Sequence, residues 1–368
     1  MISVVPALPE RSVAVSKLEL FFDLVFVFTI TQLTEVLTDG RNLAAIVHVV
    51  VMLALIWWIY DGYAWLTNAI STDLLRFRLL LLGGMGGFLV ISLAIPDAYR
   101  STGLAFGIGY LAVTILHSGM FIRGTSVSEV RGILRIAPFN LLAAILVLIG
   151  GAIGGDVQSV LWAVCAAMLW LTPQVTSVEG FVVSVSHFVE RHGLVVIIAL
   201  GESIVVVGTG AAGLPIDRGL VVAALLSLCL SAALWWAYFR DEDEVERAFE
   251  AAPSERRPEL ALVGFGYWHY GILLGIVAVA SGLKNAVGHP YDPLDTWIAV
   301  ALAAGVVLFI LCDVGFRRTF GIERNDARLI AAPLLLATIP LGTEADAVAQ
   351  IGALAAILAA ALIAESRA

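Results

Sequence analysis

The sequence predicts an all-α membrane protein, a bundle of about twelve transmembrane helices built as two parallel six-helix repeats. Three features point to it. Sixty per cent of the 368 residues are hydrophobic, 14% are charged and mean hydropathy is +0.96, well above the range of soluble domains. Twelve apolar stretches approach the roughly 20 residues that a helix needs to cross a bilayer. Assigning tails and loops alternately to two sides places 17 Lys and Arg on one side and 4 on the other. A miscounted span scrambles that partition, so it predicts an even number of spans with both termini cytoplasmic.

In order, the expected spans are 18–37, 42–60, 79–95, 103–122, 133–153 and 157–172, then 193–213, 219–238, 260–282, 295–313, 327–342 and 347–364. Before the first lies a tail, 1–17, with two prolines and no cleavable signal pattern. Lys17 and Lys284 are the only lysines, against nineteen arginines, a bias that predicts a GC-rich bacterial genome and so a bacterial plasma membrane.

Motifs recur between the halves. The second span ends "LIWWIYDGYAW" (55–65) and the eighth "ALWWAYFRDED" (233–243), with the Trp pair and Tyr in one register. The third and ninth spans are both Gly-rich at entry, with "GGMGG" (83–87) and "GFGYWHYG" (264–271). Arg135 precedes Pro138 at the start of the fifth span as Arg328 precedes Pro333 in the eleventh. Aromatic belts alone repeat residue types, but not their order, so the expectation is a duplication, 18–175 and 176–368. Six spans per half require an axis along the membrane normal, as in several transporter classes.

Within this apolar frame the carboxylates stand out. Glu19 and Asp23 lie one turn apart at the start of the first span, on a stripe that continues to Thr34 with Thr31 and Glu35 beside it. The helix macrodipole favours acids at that end, yet Asp23 is deep enough to need a partner. Glu202, near the middle of the seventh span, has Gly201 and Ser203 as small neighbours and is expected to be paired, protonated or hydrated. Glu190 and Arg191 read as the cytoplasmic mouth of that helix. His117, Asn140 and His269 are intramembrane polar groups suited to interhelical hydrogen bonds or a proton relay. Lys284 and Asp313, near helix ends, read as interfacial.

Other chemistries are disfavoured. "HFVERH" (187–192) does not match a HExxH zinc motif, and His187 and His192 do not share a helical face, so no metal site is expected. There is no phosphate-binding loop, kinase signature or GxSxG, which argues against ATP-driven transport by this chain, and no cofactor or nucleic-acid partner is expected. Cys165, Cys229 and Cys312 read as small core residues. The acid-rich loop 241–259 is expected to extend the eighth span as a cytoplasmic helix before Pro253.

The stretches "ELFFDLVFVFTITQL" (19–33) and "HFVERHGLVVIIALGESIVVVG" (187–208) resemble the bacterial low-temperature-requirement A (LtrA) family, and the likeness extends over nearly the whole chain. The resemblance implies a polytopic bacterial membrane protein named for growth in the cold. It brings no substrate, cofactor or catalytic residue; Glu19, Asp23, Glu190, Arg191, Glu202 and Ser203 are motif positions without an assigned role. The leading expectation is a secondary transporter of a small solute, coupled to protons or a cation, with Asp23 and Glu202 serving one central site. The alternatives are a membrane enzyme acting on a lipid-linked substrate, with Glu19, Asp23, Glu190 and Arg191 as its cluster, and a sensor or assembly factor.

Overall fold

The computed structural model describes residues 15–70 and 74–367. Most of the expected N-terminal tail therefore lies outside the described residues. Among those described there is no strand, and twelve helices are long and apolar enough to cross a membrane. The protein is a multi-pass helical bundle.

The first six spans are α1 (Lys17–Gly40), α2 (Leu43–Ala69), α3 (Leu75–Ala94), α4 (Gly103–Gly124), α5 (Val127–Ile153) and α6 (Gly155–Thr176). Then come α7 (Val185–Gly210) and α8 (Arg218–Phe239), followed by the short acidic helix α9 (Glu242–Ala251). The ninth span is composite: α10 (Arg257–Ala261), a π-helical stretch Leu262–Trp268, and α11 (His269–Gly288). The last three are α12 (Thr296–Thr319), α13 (Asp326–Leu336) with a second π-helical stretch Leu341–Ala345, and α14 (Ala347–Arg367).

Local sequence explains where the key helices begin. Ser16 caps α1 by accepting from the Glu19 backbone N–H while the Glu19 carboxylate accepts from the Ser16 N–H at 2.8 Å, a reciprocal capping box. Ser126 and Glu129 repeat this arrangement at α5. Pro253 lies two residues beyond α9, as expected for the acidic extension of the eighth span. The π stretch coincides with the Gly-rich "GFG", where a widened turn leaves carbonyls needing new donors. Trp57 Nε1–H donates to Gly266 O at 2.7 Å, and His269 Nδ1 lies 2.9 Å from Gly264 O.

Some helix neighbours in α1–α6 have counterparts in α7–α14, while α8 also packs on α11 and α12 on α14. In the first half, α1 packs on α2 and α3, α4 on α3 and α5, α5 on α6, and α2 on both α4 and α6. In the second, α7 packs on α8 and α11, α12 on α11 and α13, α13 on α14, and α8 on both α12 and α14. Between the halves, α1 lies against α7 and α11. Large apolar side chains such as Leu75, Val160 and Leu225 remain exposed on the outside, the surface a bilayer covers. Cys165 is buried as expected, but Cys229 is on that outer surface: the face of α8 at that position turns away from the bundle.

Candidate functional site

The capping box fixes Glu19 at the first turn of α1, and Asp23 follows one turn deeper on the same face. Both face α7, which supplies Arg191. Its Nη1 is 2.9 Å from Glu19 Oε1 and its Nη2 is 3.0 Å from Asp23 Oδ1. This corrects the expectation that Arg191 marks a helix mouth. It is 1% exposed, because α1 packs directly over it, whereas its neighbour Glu190 remains exposed and accepts from the Val15 N–H. Tyr60 of α2 donates its hydroxyl to Asp23 Oδ1, and Thr67 Oγ1 accepts from Arg191 Nη1 at 3.1 Å. Phe22 and Phe26 wall the group in, the latter stacked on Tyr60.

Two histidines complete the cluster. His187 Nε2 is 3.1 Å from Glu19 Oε1. Asn68 Oδ1 accepts from the Ser184 N–H, which leaves its Nδ2 as the donor facing His187 Nδ1 at 3.3 Å. His192 Nδ1 faces the Phe188 carbonyl at 2.8 Å and its Nε2 faces Asp61 Oδ1 at 3.1 Å, acceptors on both sides.

The sum decides what the cluster can do. Glu19 and Asp23 share the one guanidinium of Arg191. The group sets two carboxylates against one guanidinium, and Asp23 Oδ2 is buried with no hydrogen-bond partner among the described residues. An uncompensated buried charge is costly, so this group favours uptake of a proton or small cation.

Glu202 and Ser203 are buried on α7 as expected, but at another level. Glu202 lies beside Thr31, eight residues or about 12 Å further along α1 than Asp23, with the Glu35–Lys284 ion pair within electrostatic reach. The expectation that Asp23 and Glu202 share one site is therefore corrected. The first helix turns one polar stripe toward α7 and α11, and the apolar Phe26 and Ile30 are buried between the two levels. Lys284 is not a lone interfacial cation, since Glu35 pairs with it across α1 and α11. The Thr38 hydroxyl donates to Ser281 Oγ at 3.0 Å, and Arg41 Nη2 donates to Asn285 Oδ1 at 2.7 Å, at the same end. A cavity of about 440 Å³ opens beside them, with Glu35, Asp39, His48 and Asp97 on its walls.

The remaining candidates touch neither Asp23 nor Glu202. His117 Nε2 lies 2.9 Å from the Gly62 carbonyl, and Asn140 Oδ1 accepts from Trp58 Nε1–H at 3.0 Å, so both serve α2. His269 Nε2 lies 2.7 Å from the Tyr238 hydroxyl, and its ring meets His192 edge-on at 5.5 Å, so it borders the α1–α7 cluster. Among the described residues no group of three or more His, Cys, Asp and Glu side chains is arranged to hold a metal ion.

Sequence reasoning gave Asp61 no role; it read Tyr60 only as part of the repeated motif "WWIYDG" and weighed His187 and His192 only as metal ligands. A second buried ionic cluster was missed altogether. Arg328 of α13 binds Asp313 of α12 and, through Nε at 3.0 Å, Glu365 of α14. Arg317 reaches Glu365 at 2.9 Å and Asp241 at 3.1 Å, while Arg240 lies 3.7 Å from Glu365. Asp313 is 1% exposed, so its expected interfacial place is also corrected: α13 and α14 cover the end of α12.

No solved structure matches the chain. Uncharacterized protein RA0937 of Rhizobium meliloti (strain 1021) is 29% identical over 338 residues, covering 88% of this chain and 82% of that protein. Residues 14–363 match the family described as Bacterial low temperature requirement A protein (LtrA), a span that includes both carboxylate levels and all of the second ionic cluster except Glu365. The chain belongs to the bacterial LtrA family.

Proposed function

We propose that the chain is a secondary transporter in a bacterial plasma membrane, coupling movement of a small solute to a proton or cation taken up at Glu19 and Asp23. The observation that carries this reading is the charge deficit: two buried carboxylates on α1 share the single guanidinium of Arg191, and Asp23 Oδ2 has no partner. A group built only to hold helices together is more stable when its charges cancel. Glu202, about 12 Å further along the same face of α1, is the second acid on the route, and the Glu35-lined cavity is its opening at the far end.

A duplication supports the reading. The partly shared packing pattern of α1–α6 and α7–α14 matches the motif order in the sequence, and in parallel-repeat transporters the working site lies where the halves meet. Here α1 and α7 open the two halves and hold the charge-deficient group between them. The 17 to 4 partition of basic residues supports a cytoplasmic side for both termini, and reporter fusions after residues 128 and 250 test it by registering as cytoplasmic. The enzyme alternative gains nothing from the geometry, because the cluster is buried under Phe22 and Phe26 and includes no nucleophile with a base.

The test is a substrate-panel uptake assay in proteoliposomes with an imposed pH gradient. Gradient-driven uptake by the wild type, lost in Asp23→Asn and in Glu202→Gln while both variants purify and melt normally, supports the reading. Stable variants that retain full activity refute it.

A further inference from the structure

Asp61 has a second face. One side of its carboxylate meets His192, and the other side borders a partly open cavity of about 70 Å³ between α2, α4, α5 and the end of α6. At roughly 10–15 Å³ per water-sized occupant, that space takes about five non-hydrogen atoms.

Asp61, His117 and Asn140 are polar side chains on the wall, and Asn140 Oδ1 already accepts from Trp58 Nε1–H at 3.0 Å. Among the described residues Asp61 Oδ2 accepts from Trp65 Nε1–H, at 3.2 Å, and Oδ1 lies 3.1 Å from His192 Nε2, so each oxygen keeps acceptor capacity. His117 is 2% exposed, and its Nε2–H is committed to the Gly62 carbonyl at 2.9 Å. That bond fixes the tautomer and leaves Nδ1 as a bare acceptor, with no partner among the described residues. Asp61 and His117 both line the cavity. The rest of the wall is aliphatic, with Ile133 and Ile136, and aromatic: Trp65 packs edge-on against Phe181 at 5.5 Å, and Phe181 against Phe121 at 5.7 Å. A carboxylate and an unpartnered acceptor inside aliphatic and aromatic walls suit a ligand that is cationic, donates N–H bonds and has a small apolar body.

We propose that this cavity binds a short-chain primary alkylammonium ion of about ethylammonium size. Its ammonium donates to Asp61 and to His117 Nδ1, and its alkyl part lies among Trp65, Phe121 and Phe181. This names the solute class of the coupled transporter and rests on that reading. Asp61 joins the two functions, because the carboxylate that receives the ammonium is also the one that His192 Nε2 meets at 3.1 Å.

The experiment uses the purified full chain, titrated with ethylammonium chloride against sodium chloride at equal ionic strength, with thermal stabilisation as the readout. The expected result is saturable stabilisation by ethylammonium. Tetramethylammonium, which cannot donate to His117, is expected to bind at least about tenfold more weakly. Asp61→Asn weakens ethylammonium about 10- to 100-fold through loss of the charged partner. Because Asp61→Asn also alters the His192 contact, Ile136→Phe is the second variant: it fills the cavity, leaves every polar group in place and abolishes the stabilisation. No saturable response in the wild type, or an Ile136→Phe protein that responds like the wild type, overturns the assignment. The transport reading fails separately: a protein that binds ethylammonium in this cavity yet carries no flux under a pH gradient keeps the site and loses the coupling, whereas gradient-driven uptake of other solutes without ethylammonium binding does the reverse.

Discussion

Two buried ionic clusters sit at the same end of the bundle and are built on opposite principles. The α1–α7 cluster sets Glu19 and Asp23 against the one guanidinium of Arg191. The α12–α13–α14 cluster sets Arg240, Arg317 and Arg328 against Asp241, Asp313 and Glu365, three charges of each sign. Its guanidiniums are shared among carboxylates from separate helices, so every acid is matched and the cluster ties the ends of the last spans together. The first cluster leaves an acid uncompensated in a place where that is unfavourable, and one helix of each half holds it. Balanced charge serves to fasten, and unbalanced charge serves to bind.

The comparison can be broken by experiment. Arg328→Ala is expected to have the largest effect, about 3–5 kcal/mol of destabilisation, because it strands Asp313 and Glu365 in the interior. Thermal unfolding in detergent and yield of folded protein measure it, and a normal melting temperature would mean that this cluster does not fasten the helices. Next comes a matched pair. Asp313→Asn removes one acid from a balanced group and is expected to cost about 1.5–3 kcal/mol while leaving activity per folded molecule intact. Asp23→Asn removes one acid from a group with an excess, so stability should change by less than about 1 kcal/mol while coupled activity disappears. If Asp23→Asn proves the more destabilising of the two and stays active, the contrast is wrong.

Smaller effects sharpen the same contrast. Tyr60→Phe removes the hydroxyl donor to Asp23 without altering charge, and a loss of about 0.5–1.5 kcal/mol with altered pH dependence of uptake is expected. A pH profile identical to the wild type would detach Tyr60 from the proton site. Smallest is Arg324→Ala. The Arg324–Glu244 pair has side chains 59% and 44% exposed, so breaking it should shift stability by no more than about 0.5 kcal/mol. A larger shift in the same melting assay would show that burial is not what separates fastening pairs from incidental ones.

The comparison also explains what could be read in advance. The Glu19 and Asp23 carboxylates were conspicuous because acids are rare in an apolar stretch, and the capping serine and following turn place them by local geometry. Arg191 was seen but misplaced. Its position in α7 suggests a helix mouth, and only the packing of α1 over it makes it an interior cation. The Arg328–Asp313–Glu365 group was invisible for the same reason: its members lie near the ends of three spans, where charges usually meet headgroups, and nothing local indicates that the ends cover one another.

The sequence by itself determined the class of protein and the number of spans. Twelve helices form where twelve apolar stretches were expected, each somewhat longer than its apolar core, because in hydrocarbon a segment must satisfy its backbone hydrogen bonds internally and its length follows from bilayer thickness. Tertiary structure alone decided the electrostatics. It separated Glu202 from Asp23 by about two turns of helix, gave Asp61 to His192, and opened a cavity beside His117. Charge balance depends on which side chains meet across helices up to 249 residues apart in the chain, and no local property of the sequence encodes those meetings.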